Sequence, residues 1–454
     1  MVGLLLGLVA GCQSYHAMPL SQQVVRERLA PISLSILCVH ASAIRHPLLP
    51  AMKFNPNDGL TPEEAALVAV VANPELRAER DQRGIASAQL LQAGLLPNPQ
   101  LTASVDVPHG ADPADSFTAY DVGLNWDITS LISHDQKKQA ARAQAASVDL
   151  DIAWAEWQVA ETAKTAEYDV LSLTQQLENA KKIDAQFSNN LSVIQQAVNQ
   201  HQRTLLDLSA AQVASQDAHA VTLSTERDLS HARLLLNHAL GLTPTTKIPL
   251  SDTALPARLE PPSSAQLLTG LEDRRLDMLA LKKGYASEDA TLRVAILEQF
   301  PKINLGFDVA RDTTNVNTVG VGIAIDIPIF DRNQGAIALE KATRQKLFDE
   351  YVSRVFDARS DIATASADIR SLNTQIAAAN STIPQVRQLV QTYQSALQQG
   401  NADILSFYNA QSELEQQEIN VQKLKQELVE NWIALEIASG EYLGVGTHTG
   451  KNDK

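Results

Sequence analysis

The 454-residue chain carries 52 acidic against 37 basic side chains, a net charge of −15, and only two cysteines. That balance argues against nucleic-acid binding, which needs a basic footprint, and no apolar run is long enough for a transmembrane helix, so only barrel strands could place the chain across a membrane. The length would allow two or three ordinary domains, but the sequence is written twice with a period of about 200 residues, which implies one intertwined body built from two copies of a unit.

At the amino terminus Gly3 to Gly11 is apolar, too short to span a bilayer and suited to a signal core. Val9-Ala10-Gly11-Cys12 looks like a bacterial lipoprotein processing box, which would place a diacylglyceryl group on Cys12, although no Lys or Arg precedes the apolar run. Residues 1–12 then read as a signal segment and 13–57 as a tether. The second cysteine, Cys38, has no intramolecular partner in that reading; a Cys12 to Cys38 disulfide is the alternative.

The first repeat covers residues 58–250 and opens with a helix from about Thr61 to Leu95. Thr61 is placed to cap it, Pro62 sits at the first helical position and Glu63 and Glu64 fill the first turn. Two alternating segments follow, at about 99–108 and 117–128. Leu101, Ala103, Val105 and Val107 alternate with Gln100, Thr102, Ser104 and Asp106, and Tyr120, Val122, Leu124, Trp126 and Ile128 alternate with Asp121, Gly123, Asn125 and Asp127. A strand of about 10 residues, tilted by about 40°, spans about 25 Å, the height of an outer-membrane apolar band. A soluble sandwich with one wet face is the competing reading of strand parity alone.

A helix from about 134 to 199 comes next, with Ile152, Val159, Ala166, Leu173, Ala180, Phe187 and Ile194 spaced by sevens. Such a repeat implies left-handed coiled-coil packing, and the helix would be about 99 Å long at 1.5 Å per residue, too long for a compact core. A break at Gln200-His201-Gln202-Arg203 precedes a return helix at about 205–240. The second repeat, residues 251–443, has the same parts: a helix from about Ser264 to Leu297, strands at about 301–310 and 318–328, a long helix at about 333–398 and a return helix at about 403–440, with 444–454 as a tail. Its long helix carries Val355, Ile362, Ile369, Ile376, Ile383, Val390 and Leu397 in the register of the first, and Pro384 inside it should either bend the tip inward or be absorbed.

Four membrane strands cannot close a barrel, because closed transmembrane barrels need at least about eight and open edges are not tolerated in lipid. Further copies must supply the rest, and closure of the strands carries the helices round the same axis as a tube. The fold class expected is therefore mainly α with a small transmembrane β part: a strand hairpin plus long helical hairpin, duplicated.

The residues resemble the outer-membrane efflux proteins, the TolC-like family. Leu60-Thr61-Pro62-Glu63-Glu64-Ala65 and Asn73-Pro74-Glu75-Leu76 resemble its opening helix, Ala93-Gly94-Leu95-Leu96-Pro97-Asn98-Pro99-Gln100-Leu101 its entry into the first strand, Leu236-Asn237-His238-Ala239-Leu240-Gly241 the close of the first half, Arg274-Arg275-Leu276-Asp277 the start of the second, and Ile327-Pro328-Ile329-Phe330-Asp331-Arg332-Asn333 the strand-to-helix junction. The resemblance implies a homotrimer with a twelve-stranded outer-membrane β-barrel continued by a periplasmic α-helical barrel, serving an inner-membrane pump through a periplasmic adaptor protein. By position it implies adaptor contact at Arg203, Thr204, Leu205 and Leu206 and at Gly400, Asn401, Ala402, Asp403 and Ile404.

Two departures stand out. The first tip has no Gly, and the acidic ring with which many members narrow the tunnel has no counterpart in Ala185 to Gln202 or Asn380 to Gln399, where Arg387 is the charged candidate for a constriction. Strand parity directs Asp106, Asp127, Asp308 and Asp326 toward the lumen. Phosphate-loop, zinc-protease and nucleophile-elbow motifs are absent, no Cys, His and Met cluster marks a metal site, and no cofactor or enzyme activity is expected. The Ala93 to Leu101 and Ile327 to Ala338 segments lean toward the heavy-metal efflux branch, with drug or solvent efflux and type I secretion as alternatives and a structural periplasmic coiled-coil protein as the competing class.

Overall fold

A computed structural model describes residues 14–30, 34–50, 52, 59–109, 116–399 and 401–445. The signal segment with Cys12, the tip residue Gly400 and the tail from 446 onward lie outside the described residues. Two short helices, α1 (Gln22–Arg28) and α2 (Leu34–Ser42), precede the first repeat. Leu37 and Ala41 of α2 are buried, and the His46 ring bonds the Ala153 carbonyl at 2.8 Å. The segment read as a tether therefore lies partly against the body.

The first repeat runs α3 (Pro62–Ala72), α4 (Pro74–Ala93), β1 (Gln100–Asp106), β2 (Ala119–Asp127), α5 (Thr129–Asn199) and α6 (Leu205–Ala239). The second runs α7 (Ser264–Leu268), α8 (Leu271–Arg274), α9 (Leu276–Leu297), β3 (Ile303–Arg311), β4 (Asn317–Ile325), α10 (Gln334–Gln398) and α11 (Ile404–Ser439). At the start of α3 the Thr61 hydroxyl accepts from Glu64 N–H at 3.3 Å while Glu64 Oε2 accepts from Thr61 N–H at 3.0 Å, a reciprocal capping box.

Each opening helix is interrupted where the sequence suggested one rod. Asn73 is extended and serves both α3 as C-cap and α4 as N-cap, because Pro74 disfavours helical geometry at the residue before it and starts a new helix. The corner packs tightly on the close of the first repeat, where a Cβ at Gly241, itself at φ +67°, would come 2.6 Å from Asn73 Cα. In the second repeat Gly270 at φ +69° and the extended Arg275 divide the rod into α7, α8 and α9.

The long helices turn their heptad positions inward. Ile152, Ala180, Phe187 and Ile194 of α5 and Ile362, Ile369, Ile376 and Val390 of α10 are buried, while Val159, Ala166, Leu173, Val355, Ile383 and Leu397 are half-buried. At 71 residues α5 is about 107 Å long at 1.5 Å per residue, and α10 continues through Pro384 without a break. The four long helices lie in a row, α6 beside α5, α5 beside α11 and α11 beside α10, with α6 also meeting α11.

Halfway along, a collar of α3, α5 and α11 encloses charge. Lys164 is 1% exposed and pairs with Glu161 at 2.9 Å and with Glu436. The other Glu436 oxygen accepts from the Leu443 and Gly444 N–H groups at 2.8 and 2.7 Å, tying the end of α11 to this pair. Burial drives the Glu161 carboxyl up to about 8 despite Lys164. Glu167 is fully buried with neither oxygen bonded among the described residues, and burial, with Glu63 and Glu64 nearby, pushes it up to about 9. It is therefore a neutral acid at neutral pH.

Candidate conduit: strand faces and hairpin tips

The two strand hairpins form one antiparallel sheet of order β1-β2-β3-β4, joined across the repeats by β2 and β3. Register sorts its side chains cleanly. Leu101 faces Leu124, which faces Phe307, which faces Val321; Val105 faces Tyr120 and Val122 faces Val309 on the same side. Most of these apolar groups are exposed, Val319 by 83% and Val321 by 68%. The face carries Tyr120 at one end and Trp126 at the other, about 20 Å apart along the strand, and Trp126 donates its ring N–H to the Pro97 carbonyl at 2.8 Å. An exposed apolar band with aromatic ends is the surface a barrel turns to lipid.

The opposite face is small and polar. Thr102 lies opposite Gly123, Asn125 opposite Gly306, and Asp308 opposite Gly320. In each pair the polar side chain lies flat across the glycine: an added Cβ would come 2.7 Å from Thr102 Oγ1, 2.7 Å from Asn125 Oδ1 and 2.6 Å from an Asp308 oxygen. The inner wall is thus kept thin.

The four lumen candidates spread along this face. Asp106 ends β1 beside the outer loop, and Asp308 sits mid-strand. Asp127 accepts from Thr129 and Ser130 N–H at 2.9 and 3.2 Å and so caps α5, which is why that helix begins at Thr129. Asp326 falls just past β4, exposed, and lines with Asp127 a recess of about 440 Å³ at the sheet-to-helix junction. Asp121 shares the inward face, opposite Ser104, and was missed although its parity matches that of Asp127. Among the strand residues this face holds four acids and no base.

At the far end of the helices the two tips turn differently and are linked. His201 takes the left-handed conformation, φ +59°, which lets the first tip turn without glycine. Thr204 caps α6 through a reciprocal pair with Asp207, and Asp403 caps α11 by accepting from Ser406 N–H at 2.8 Å. The Ser406 N–H and hydroxyl hold the Asp403 carboxyl below its ordinary range. Arg203 reaches across to the last turn of α10, donating to the Leu397 carbonyl at 3.0 Å. Ile404 is buried with Phe407 and Tyr408, whose ring meets Phe187 at 5.3 Å, whereas Leu205, Leu206 and Leu405 are exposed. Leu206, Val213, Ile404, Leu405 and Tyr408 line a groove of about 650 Å³ between α6 and α11. Asn401 N–H closes the second tip on the Ala396 carbonyl at 2.8 Å, with Ala402 between it and the Asp403 cap. Arg387 pairs with Glu418 at 2.8 Å.

No helix among the described residues is long and apolar enough to cross a membrane, and none of their His, Cys, Asp and Glu side chains gathers into a group that could hold a metal ion. A family model described as outer membrane efflux protein matches residues 267–441, nearly all of the second repeat. Over those residues the chain is similar to the outer-membrane efflux protein family. The chain is 24% identical over 317 residues to the cobalt-zinc-cadmium resistance protein CzcC of Cupriavidus metallidurans, covering 68% of the chain and 72% of that protein. It is 23% identical over 233 residues to the cation efflux system protein CusC of Escherichia coli, covering 47% of the chain and half of CusC. Among solved structures the outer-membrane channel OprN superposes with a TM-score of 0.74 at 17% identity, covering 95% of this chain and 99% of that one. The chain accordingly has the fold of the outer-membrane efflux channels it is similar to, a strand sheet continued by long helical hairpins. Three copies of its 4-stranded sheet give twelve strands.

Proposed function

We propose that this chain passes heavy-metal cations, delivered by an inner-membrane pump through a periplasmic adaptor protein that docks on the hairpin tips. The observation that carries the cargo reading is the inward strand face, where Asp106, Asp121, Asp127 and Asp308 meet no basic residue of the strands. Repeated by three, the fixed negative potential favours cations over anions throughout the barrel, in keeping with relatives named for cobalt, zinc, cadmium and cation efflux. Exposed Asp326 extends the same potential to the mouth of the helical tube.

Docking rests on Leu205, Leu206 and Leu405, leucines left in water beside an open apolar groove, with Arg203, Thr204, Ala402 and Asp403 fixing the turns around them. Gly400 and the lipidation site Cys12 belong to the same proposal by position. Arg387 is the proposed charged position near the constriction. Adjacent subunits meet where the outer helices of the row, α6 and α10, leave Leu223, Leu234, Phe348, Val352 and Phe356 exposed.

The test is complementation of a deletion strain challenged separately with zinc, cadmium, cobalt and a panel of drugs. The unmodified chain should restore metal tolerance. The Asp121→Asn, Asp308→Asn double variant should restore less of it at equal trimer abundance, and Leu205→Asp with Leu405→Asp should restore none. Rescue of drug tolerance alone would replace the metal reading with drug or solvent efflux.

A further inference from the structure

The outward face of the sheet is aliphatic or aromatic until its last row, where Tyr120 of β2, Arg311 of β3 and Asn317 of β4 lie side by side. Among strand residues on this face, Arg311 is the only charged one. The row is at the end remote from α5 and α10, hence at the cell-exterior limit of the apolar band, where hydrocarbon gives way to lipid headgroups. A guanidinium there is far less costly than at the bilayer midplane, so the position is tolerable but not favourable without an anion.

Arg311 is held rather than loose. Its guanidinium carbon lies 5.1 Å from the Tyr120 ring centre, and Nη2 donates to the Thr118 carbonyl at 2.8 Å. Nε is buried with no acceptor among the described residues. The nearby carboxylate of Asp312 is already taken by the Thr314 and Val316 N–H groups and the Thr314 hydroxyl. A planar fork with spare donors, fixed by an aromatic ring, matches a phosphate, and the Val309 and Val319 side chains in the next row toward the bilayer offer an acyl chain an apolar track.

We propose that Arg311, backed by Tyr120 and flanked by Asn317, binds the anionic phosphate of an outer-leaflet lipid headgroup, one site on each subunit of the trimer. The proposal rests on the reading of this face as lipid-facing. A free phosphate would satisfy the charge but gain nothing from the valine track, so the lipid is the occupant the surface fits.

Native mass spectrometry of the delipidated trimer, titrated with phosphatidylglycerol or phosphatidylcholine and separately with inorganic phosphate, tests it. Phosphatidylglycerol should be retained up to three per trimer and phosphatidylcholine about tenfold more weakly. Arg311→Gln should erase that preference, Arg311→Lys should keep part of it, and inorganic phosphate should not displace the lipid. Equal retention of the two lipids by the unmodified trimer, unchanged preference in Arg311→Gln, or displacement by inorganic phosphate would each overturn the proposal. Absence of a trimer from the spectrum would instead strike at the conduit reading.

Discussion

The strand sheet and the Lys164 collar place polarity in opposite ways. The sheet leaves Val319, Val321 and Ile323 in the open and turns Asp121 and Asp308 to a thin inner wall. The collar takes Glu161, Lys164, Glu167 and Glu436 out of solvent altogether. The sheet is half of a structure: its apolar face needs lipid, and its edge strands β1 and β4 need another copy. The collar is complete within one chain, its ion pair closed by α5, α11 and the turn at Leu443. Assembly is thus written into the barrel end, and single-chain stability into the middle.

Breaking the collar should have the largest effect. Lys164→Ala leaves Glu436 buried without its counter-ion and should cost about 3–5 kcal/mol, read as a lowered denaturation midpoint of the solubilised trimer. A midpoint equal to that of the unmodified chain would mean that the collar charges are not held as an ion pair.

On the sheet, Val321→Arg puts a cation on the lipid face and should cost about 2–4 kcal/mol, reducing the amount recovered in the outer-membrane fraction. Thr318→Arg, on the inward face of the same strand, should leave insertion intact. Equal losses from the two would remove the distinction between the faces.

The collar also sets a pH dependence. Glu167 has its pKa raised from 4.5 to about 9 by burial, so the folded state binds a proton that the unfolded state releases above 4.5. The associated stability is fully present below pH 4.5 and is lost as pH rises toward about 9, with a slope of up to about 1.4 kcal/mol per pH unit. Glu167→Gln should flatten that slope in denaturation curves taken from pH 5 to 9. The smallest effect belongs to the tip: Thr204→Ala removes the α6 cap and should cost about 1 kcal/mol, visible as faster amide exchange in the first turn of α6 with the collar unchanged.

Strand parity and heptads made the fold class legible, because both are local periodicities: Leu101, Leu124, Phe307 and Val321 share one face in the observed register, and Ile362, Ile369 and Ile376 are buried in sequence. Features that join distant segments were not legible. The collar joins α3, the middle of α5 and Glu436 of α11, and the heptad lines pass beside Glu161, Lys164 and Glu167 without marking them. Arg203 and Leu397 meet across two tips 194 residues apart in the chain. Asp127 was read by parity as a lumen acid, which its strand position supports, but parity carries no sign that its oxygen also caps α5. The break at Asn73 could have been found, since Pro74 directly follows it.

Native mass spectrometry of detergent extracts from the outer-membrane fraction addresses the central claim most directly. Three copies of the 49.2 kDa chain, less whatever is removed at its amino terminus, is the expected mass, with Val321→Arg depleting it and Thr318→Arg sparing it. A monomer in that fraction would contradict closure of the barrel by identical copies, and recovery of the chain in the soluble periplasm would contradict the lipid-facing sheet itself.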